Sequence, residues 1–128
     1  MTRVVLDTSA LLALLQQEKG SDQVAQHLPN AMMSSVNFSE VIAVLISTGI
    51  PEKEAKALIT DIVKHIVPFD TEQAYLAATL RATTKHCGLS LGDRACLALA
   101  QLYKITALTA DKIWSKLPLQ HIKITVIR

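Results

Sequence analysis

The sequence predicts an α/β protein in which a parallel sheet lies between two layers of helices. Short runs rich in Val and Ile alternate along the chain with longer stretches of helical periodicity, as in sheets whose parallel strands are joined by helices. A length of 128 residues suits one domain with its own core, and no linker, repeat or low-complexity segment interrupts it. We therefore expect a single domain over residues 1–128, a three-layer α/β/α sandwich.

The first part of the chain predicts two strands and three helices. A Val-Val-Leu run ending on Asp-Thr-Ser is typical of a buried strand, and the leucine-rich segment after it has helical periodicity. Pro29 ends the second helix, and Gly49 lies just after the third, where glycine commonly ends helices. The predicted strands are Arg3–Asp7 and Ala31–Ser35, and the predicted helices are Ser9–Gln17, Ser21–Leu28 and Asn37–Ser47.

The second part predicts four further helices and three strands. Pro51 opens the next helix, because proline suits the first helical turn. The segment after Ser90 has apolar residues at helical spacing, and Val/Ile-rich runs mark the strands. The predicted helices are Pro51–His65, Thr71–Lys85, Ser90–Lys104 and Lys112–Leu117, and the predicted strands are Ile66–Asp70, Ile105–Thr109 and Ile122–Ile127.

Composition disfavours several classes of protein. Half of the residues are hydrophobic, yet no unbroken apolar run exceeds six, whereas a membrane span needs roughly twenty. The first residues lack the basic and apolar regions of a secretion signal, so we expect a cytoplasmic protein without a membrane anchor. Two cysteines and four scattered histidines match no zinc pattern. The net charge of +2 does not by itself indicate a nucleic-acid partner.

Five acidic residues lie at predicted strand ends or helix starts, where ligands bind in parallel sheets. Each can be explained as a helix cap. Asp7, Asp70 and Asp111 are possible N-caps, and Glu40 and Asp93 stand at the third position of capping boxes. As a group they suggest more, because Asp7 and Asp111 end strands at one edge of the sheet. Glu40 and Asp93 begin helices that should pack against that edge.

Four converging carboxylates would raise one another's pKa values unless a cation were bound among them. Oxygen ligands without His or Cys favour a hard cation, Mg²⁺ or Mn²⁺, which can activate water for phosphodiester hydrolysis. Thr8 and Ser9 could hold the Asp7 carboxylate or a substrate phosphate by hydrogen bonds. Arg94 is either a phosphate contact or a solvated surface charge.

Several blocks of the sequence resemble the PIN-domain ribonucleases, and most closely the VapC toxins of type II toxin–antitoxin modules. The order and spacing of these blocks fit the family over almost the whole chain. The blocks are Val5–Ala10, Glu40 opening a helix, Leu89–Ala100 and Leu108–Trp114.

The resemblance implies an endoribonuclease that depends on Mg²⁺ or Mn²⁺ and is the toxin of a toxin–antitoxin pair. Carried over by motif, the four acids are metal ligands and catalytic residues: Asp7, Glu40, Asp93 and Asp111. Ser9 is the supporting hydroxyl. The resemblance also implies an RNA substrate, a homodimer and a cognate antitoxin. Asp70 matches no family acid and remains a helix cap.

Other readings of the same residues remain open. A receiver-type phospho-acceptor would need an acid where Thr8 stands, and a haloacid-type phosphatase would need one where Ser9 stands. A PIN-like module that binds RNA or protein without cleaving it is the stronger alternative. Val41–Ile46 is apolar all round its helix, which predicts a homodimer interface, an antitoxin groove or a helix buried on all sides.

Overall fold

Five short strands form one parallel sheet in the computed structural model, which describes residues 3–128. The strand order is β3-β2-β1-β4-β5, and all four neighbouring pairs are parallel. This confirms the predicted parallel sheet and places β1 at its centre. The strands are β1 (Val4–Leu6), β2 (Ala31–Ser34), β3 (His65–Val67), β4 (Thr106–Thr109) and β5 (Ile124–Val126).

The strand order reverses at the central strand β1, because β2 and β3 lie on one side of it and β4 and β5 on the other. This reversal creates a crevice at the carboxyl edge of the sheet. Strand β1 pairs with β2 on one side and with β4 on the other. Val5 lies opposite both Met32 and Ala107, so the three strands are aligned in register. Ligands of open α/β sheets bind where the strand order reverses in this way.

Within residues 3–128, six α-helices cover the two faces of the sheet, as the sequence predicts. Their ends agree with the predicted ends within three residues, and two 3₁₀ helices, Leu28–Asn30 and Lys112–Lys116, lie in the connections. The α-helices are α1 (Thr8–Leu15), α2 (Ser21–His27), α3 (Ser35–Ser47), α4 (Glu52–Ile62), α5 (Thr71–Thr84) and α6 (Leu91–Tyr103).

Two hydrophobic cores, one on each face, establish the three-layer arrangement. Val4 and Leu6 pack with residues of α1, α2, α3 and α4. Val5, which points to the opposite face, packs with residues of α5, α6 and the second 3₁₀ helix. Helix α6 buries every residue from Ala95 to Ala100, so it is the most enclosed helix of its layer.

The structure differs from the sequence prediction where α4 leads into β3. The helix ends at Ile62 rather than at His65, because Val63 is extended and buried. The chain then pairs at once with β2, His65 lying opposite Met32. Strand β3 ends at Val67, before Pro68, whose missing N–H could not continue the ladder. No helix within residues 3–128 is long and apolar enough to cross a membrane.

Candidate active site

The carboxyl ends of β1 and β4 bring two of the predicted acids to the same edge of the sheet. Asp7 directly follows β1, and its backbone N–H donates to the carbonyl of Leu108 in β4 at 3.1 Å. Asp111 lies two residues beyond the end of β4. Both also cap helices, since Asp7 accepts from the N–H of Ala10 and Asp111 from that of Ile113. Capping and a position in the crevice are therefore compatible.

Asp7 is buried and surrounded by hydrogen-bond donors. Only 3% of the residue is exposed. Ser9 Oγ lies 2.8 and 2.9 Å from its two carboxylate oxygens, the Ala10 N–H donates at 2.7 Å, and Thr109 Oγ1 donates at 2.6 Å. Burial raises the pKa of Asp7 to about 6, although these donors oppose the shift, and the charge of Asp93 raises it further.

Thr109 is a member of this network that the sequence analysis missed. Its hydroxyl donates to Asp7 and accepts from the backbone N–H of Asp111 at 3.0 Å. Ser9 Oγ, 3.2 Å from Thr109 Oγ1, accepts from the Ala110 N–H at 2.9 Å. The two hydroxyls thus hold the ends of β1 and β4 in a fixed relation. The signal for Thr109 was a hydroxyl at the end of a strand, two residues before an acid.

Glu40 reaches the crevice from the first half of α3. Thr8 Oγ1 donates to Glu40 Oε1 at 2.5 Å, so Thr8 is engaged by another predicted site residue. The side-chain amide of Asn37 lies 3.1 Å from each of three acceptors: Thr8 Oγ1, Glu40 Oε1 and the carbonyl of Gly92. Asn37 therefore connects the start of α1, helix α3 and the start of α6 at one point.

The predicted capping box from Asn37 to Glu40 is wrong. Helix α3 begins at Ser35, and Ser34 is its N-cap, accepting from the N–H of Val36 at 3.2 Å. Because Ser34 is also the last residue of β2, the strand passes into the helix without a loop. Asn37 consequently lies inside the helix, 1% exposed, where its amide is free to bind Glu40 and Gly92.

Gly92 allows α6 to approach Glu40 closely. A Cβ atom built on Gly92 would collide with the Glu40 carboxylate, so a larger residue would require one of the two to move. The residue after this glycine is Asp93. The first turn of α6 therefore brings a second carboxylate beside Glu40.

The capping box predicted for Asp93 is confirmed, and the charges of two other acids act on this carboxylate. Its carboxylate accepts from the Ser90 N–H at 2.9 Å, while the Asp93 N–H donates to Ser90 Oγ at 3.1 Å. Burial raises the pKa of Asp93, its hydrogen bonds with Ser90 oppose the shift, and the charges of Asp111 and Glu40 raise the pKa further. The hydrogen bonds with Ser90 hold the carboxylate at the start of α6.

Cys96 is a buried thiol that lies within the electrostatic influence of three of the acids. This thiol is buried one turn beyond Asp93 in α6 and is not in a disulfide. Its pKa is raised well above its ordinary value, first by burial and then by the negative charges of Asp7, Asp93 and Glu40. Three of the four acids are therefore close enough to act on one sulfur atom beneath the crevice.

The remaining predicted residues, Asp70 and Arg94, lie in other surroundings. Asp70 caps α5 by accepting from the Gln73 N–H at 3.0 Å, as the sequence predicts. Arg94 Nη1 donates to the backbone carbonyl of Ala77 in α5 at 3.0 Å. Arg94 is therefore half-buried between α5 and α6 and is not a freely solvated charge.

None of the four acids takes part in a salt bridge within the described part of the chain. Both salt bridges found within residues 3–128 involve other acids, Asp61 with Lys64 and Glu18 with Arg128. In the side-chain conformations seen, these residues contain no group of three His, Cys, Asp or Glu side chains positioned to hold a metal ion. The cluster is thus a set of carboxylates that repel one another. Their oxygen atoms are ligands suited to a hard cation, but in this conformation they do not surround a cation site.

Comparisons with known proteins agree with this architecture. The PIN domain family profile matches residues 4–119. A toxin–antitoxin complex from Klebsiella pneumoniae superposes with a TM-score of 0.76 at 20% identity, covering 98% of both chains. DNA-bound VapBC from Salmonella typhimurium gives a TM-score of 0.74 at 16% identity, covering 100% of both chains.

A third similar structure is described as a toxin that cleaves the sarcin-ricin loop, VapC20 from Mycobacterium tuberculosis. Its TM-score is 0.74 at 17% identity, with 94% of this chain and 98% of that chain covered. No curated protein sequence matches the chain at the required significance. At these identities the structural neighbours establish the fold, whereas the family profile spans nearly the whole sequence. The chain therefore belongs to the PIN domain family.

Proposed function

We propose that the protein is a divalent-metal-dependent endoribonuclease and the toxin of a type II toxin–antitoxin pair. The observation that carries the proposal is the acid cluster at the carboxyl edge of the sheet, whose four members form no salt bridge within the described residues. Burial, and to a lesser extent the charge of Asp93, raises the pKa of Asp7 to about 6. A fold gains no stability from burying and crowding carboxylates in this way, so the cluster favours a role in binding a cation. Membership of the PIN family and the similarity to a described RNA-cleaving toxin support the nuclease activity.

Asp7, Glu40, Asp93 and Asp111 would hold Mg²⁺ or Mn²⁺. Bound there, the ion would neutralise phosphate charge and lower the pKa of a water molecule that attacks the phosphodiester. Ser9 and Thr109 orient Asp7, and the Ser90 cap orients Asp93. Asn37 and Thr8 hold Glu40. Fixed carboxylates of this kind contribute to catalysis because their metal-binding oxygen atoms are already in place before the substrate arrives.

Cleavage of purified RNA tests the proposal directly. Antitoxin-free protein is incubated with total cellular RNA in Mg²⁺, in Mn²⁺ and in EDTA. We expect discrete fragments in either metal and none in EDTA. Asp93→Asn should abolish cleavage while keeping its fold, because asparagine can still accept from the Ser90 N–H. Asp70→Asn is the matched control and should cleave normally, since asparagine caps helices as well as aspartate does. Intact RNA in every reaction would favour the binding-module alternative.

We also propose that an antitoxin segment covers the apolar groove between α3 and α4. A cavity of about 370 Å³ is lined by three apolar residues of α3 and three charged residues of α4: Phe38, Ile42, Ile46, Glu52, Lys53 and Lys56. Ile46 remains 44% exposed, so the helix predicted to be apolar all round is not fully covered by its own chain. The Klebsiella and Salmonella structures are described as toxin–antitoxin assemblies, which supports an antitoxin as occupant.

A variant with a charge in the groove distinguishes an antitoxin from a second copy of the chain as the occupant of the groove. We expect Ile46→Glu to weaken inhibition of RNA cleavage by the co-expressed antitoxin without lowering the activity of the free protein. The homodimer implied by the family resemblance is measured at the same time by sedimentation equilibrium. Dissociation of the free variant into monomers, with inhibition unchanged, would assign the groove to the dimer interface.

A further inference from the structure

A pocket of about 250 Å³ with three cationic side chains lies between the end of α5 and the first turn of α6, the turn that also carries Asp93. The end of α5, the following loop and the start of α6 form its walls. No acidic residue is among those that line it. The lining residues, referred to below as the basic pocket, are Arg81, Thr84, Lys85, Gly88, Leu89 and Arg94.

Arg94 is fixed in this wall but keeps hydrogen-bond donors available. Its Nη1 donates to the Ala77 carbonyl at 3.0 Å, which holds the guanidinium in place. Its Nε has no acceptor within residues 3–128 but is itself buried, so a ligand in the pocket would be met by the other guanidinium N–H groups. An arginine presents five N–H groups suited to phosphate oxygens, and only one hydrogen bond of the Arg94 side chain is formed within the described residues. The side chain is thus oriented in advance for an anion.

The positive charge of the basic pocket is uncompensated. None of its three cations takes part in a salt bridge with an acid in the described residues. Arg81 and Lys85 are exposed and can move toward a ligand, whereas Arg94 is held. One fixed and two mobile cations around a small cavity suit a compact polyanionic group such as a phosphate.

The basic pocket and the acid cluster share the first turn of α6. Arg94 directly follows Asp93, and Leu89 directly precedes Ser90, which caps the helix and binds the Asp93 carboxylate. A polyanionic strand that approaches the acids is repelled by them. Most of the affinity of proteins for nucleic acid comes from cations that contact phosphates, so cations next to the acids would offset this repulsion.

We propose that the basic pocket binds a phosphate of the RNA strand next to the one that is cleaved. This inference rests on the proposed nuclease function and adds the residues that position its substrate. RNA fits better than an antitoxin segment, because Leu89 is the one apolar side chain among the six lining residues. A peptide finds far more apolar surface in the α3–α4 groove. Arg81 and Lys85 are accordingly substrate-binding residues, together with Arg94.

Paired charge removals on the two ends of α6 test the proposal. Arg81→Gln/Lys85→Gln removes two charges from the basic pocket. Lys104→Gln/Lys123→Gln removes two from a cavity at the opposite end of the helix, about 20 Å away for a 13-residue helix. Both variants change the net charge equally, so a difference between them reports position. All four side chains are charged residues outside the two cores.

Binding is measured first, with a fluorescein-labelled single-stranded oligoribonucleotide in EDTA and in an Asp93→Asn background that does not cleave it. We expect the basic-pocket variant to bind about tenfold more weakly at low salt, with the slope of log K against log salt reduced by about one. The control variant should lose much less. Equal losses in the two variants would reduce the effect to net charge and overturn the proposal.

Cleavage kinetics in the otherwise wild-type protein then separate this inference from the proposed function. We expect the basic-pocket variant to raise KM with little change in kcat, because its residues bind substrate without touching the reacting atoms. If wild-type protein cleaves RNA and the variant shows an unchanged KM, the pocket assignment fails and the nuclease stands. If wild type cleaves nothing in either metal, the nuclease fails. A variant that alters only antitoxin inhibition would identify the basic pocket as an antitoxin contact and overturn its assignment to RNA.

Discussion

At the scale of single residues, Asp7 makes a large contribution to the pH dependence of stability in the metal-free protein. Asp93, whose pKa burial also raises, contributes in the same direction. The pKa of Asp7 is raised from 3.8 to about 6, so the folded state holds its proton more tightly than the unfolded state. The contribution to stability is complete below the unfolded value and is lost as the pH rises through about 6. The size of the shift corresponds to about 3 kcal/mol.

Asp7→Asn should remove the contribution of Asp7 to this pH dependence. We expect the variant to gain stability over the wild type as the pH rises from about 4 to about 8, by up to about 3 kcal/mol. Urea unfolding in EDTA at both pH values measures the difference. Asp22→Asn, at an exposed acid in the first turn of α2, is the control and should follow the wild type. Parallel pH profiles for Asp7→Asn and the wild type would show that the Asp7 carboxylate is not destabilised by burial.

Asn37 should be a positioning residue for Glu40. Asn37→Ala removes the amide that Thr8, Glu40 and Gly92 share, and a buried acceptor left unpaired costs about 1–3 kcal/mol. We expect that loss in the free energy of unfolding and a fall in kcat larger than the change in KM. Asn30→Ala, at the other asparagine of the chain, serves as the control. An unchanged kcat with reduced stability would restrict Asn37 to a structural role.

The acids that the sequence indicated differ in a physical way from Asn37, whose role in the site the sequence did not indicate. Asp7 and Asp93 follow local rules, because Asp7 caps α1 and Asp93 completes the capping box that Ser90 opens at the start of α6. The role of Asn37 depends on acceptors 29 and 55 residues away, which no local pattern encodes. The role of Asn37 is apparent only from the structure, in which Ser34 rather than Asn37 is the N-cap of α3.

At the scale of elements, the contact of α3 with α6 depends on Gly92. Alanine normally stabilises a helix over glycine by about 1 kcal/mol, but a Cβ here would collide with the Glu40 carboxylate. We therefore expect Gly92→Ala to lower both stability and RNA cleavage. In a Glu40→Ala background the same change should become stabilising, because the colliding carboxylate is gone.

A double-mutant cycle measures this reversal of sign. The four proteins are the wild type, the two single variants and Gly92→Ala/Glu40→Ala, each unfolded in urea under the same conditions. If Gly92→Ala has the same effect with and without the Glu40 carboxylate, the two residues are not coupled. The glycine would then serve some other purpose in α6.

The ends of helices and strands are predictable from the sequence where helix-capping residues determine them. They are not predictable where the pairing of distant strands determines them. Asp70 and Ser90 cap their helices as expected. The end of α4 could not be read from the sequence, because His65 leaves the helix to pair with Met32 in β2. The apolar pattern of α4 alone does not show that strand pairing competes with the helix for these residues.

At the scale of the whole molecule, the alternation of strands and helices predicted the layers and the edge at which the acids meet. A parallel sheet brings strand ends together, so the sequence alone predicts Asp7 and Asp111 at one edge. What the pattern could not supply was the arrangement of their donors. Ser9 and Thr109 are 100 residues apart, yet both hold the Asp7 carboxylate.

The acid cluster should also make the stability of the whole protein depend on divalent cations. A ligand that binds only the folded state at a hundredfold excess over its Kd adds about 2.7 kcal/mol, which corresponds to several degrees in Tm. We expect Mn²⁺ to raise the Tm of the wild type at about pH 8. The rise should shrink below pH 6, because protons then compete for Asp7, whose pKa is about 6.

Matched acid variants decide whether that response belongs to the cluster. Asp93→Asn should lose most of the Mn²⁺-induced rise in Tm, whereas Asp70→Asn, at an acid that only caps α5, should keep it. The two substitutions remove the same charge, so a general effect of the metal on acidic surface would appear in both. An equal response in Asp70→Asn and Asp93→Asn would place the bound cation elsewhere. Since repulsion among the four acids is what a cation relieves, loss of the response in Asp93→Asn alone would link the stability of the fold to the site proposed for its chemistry.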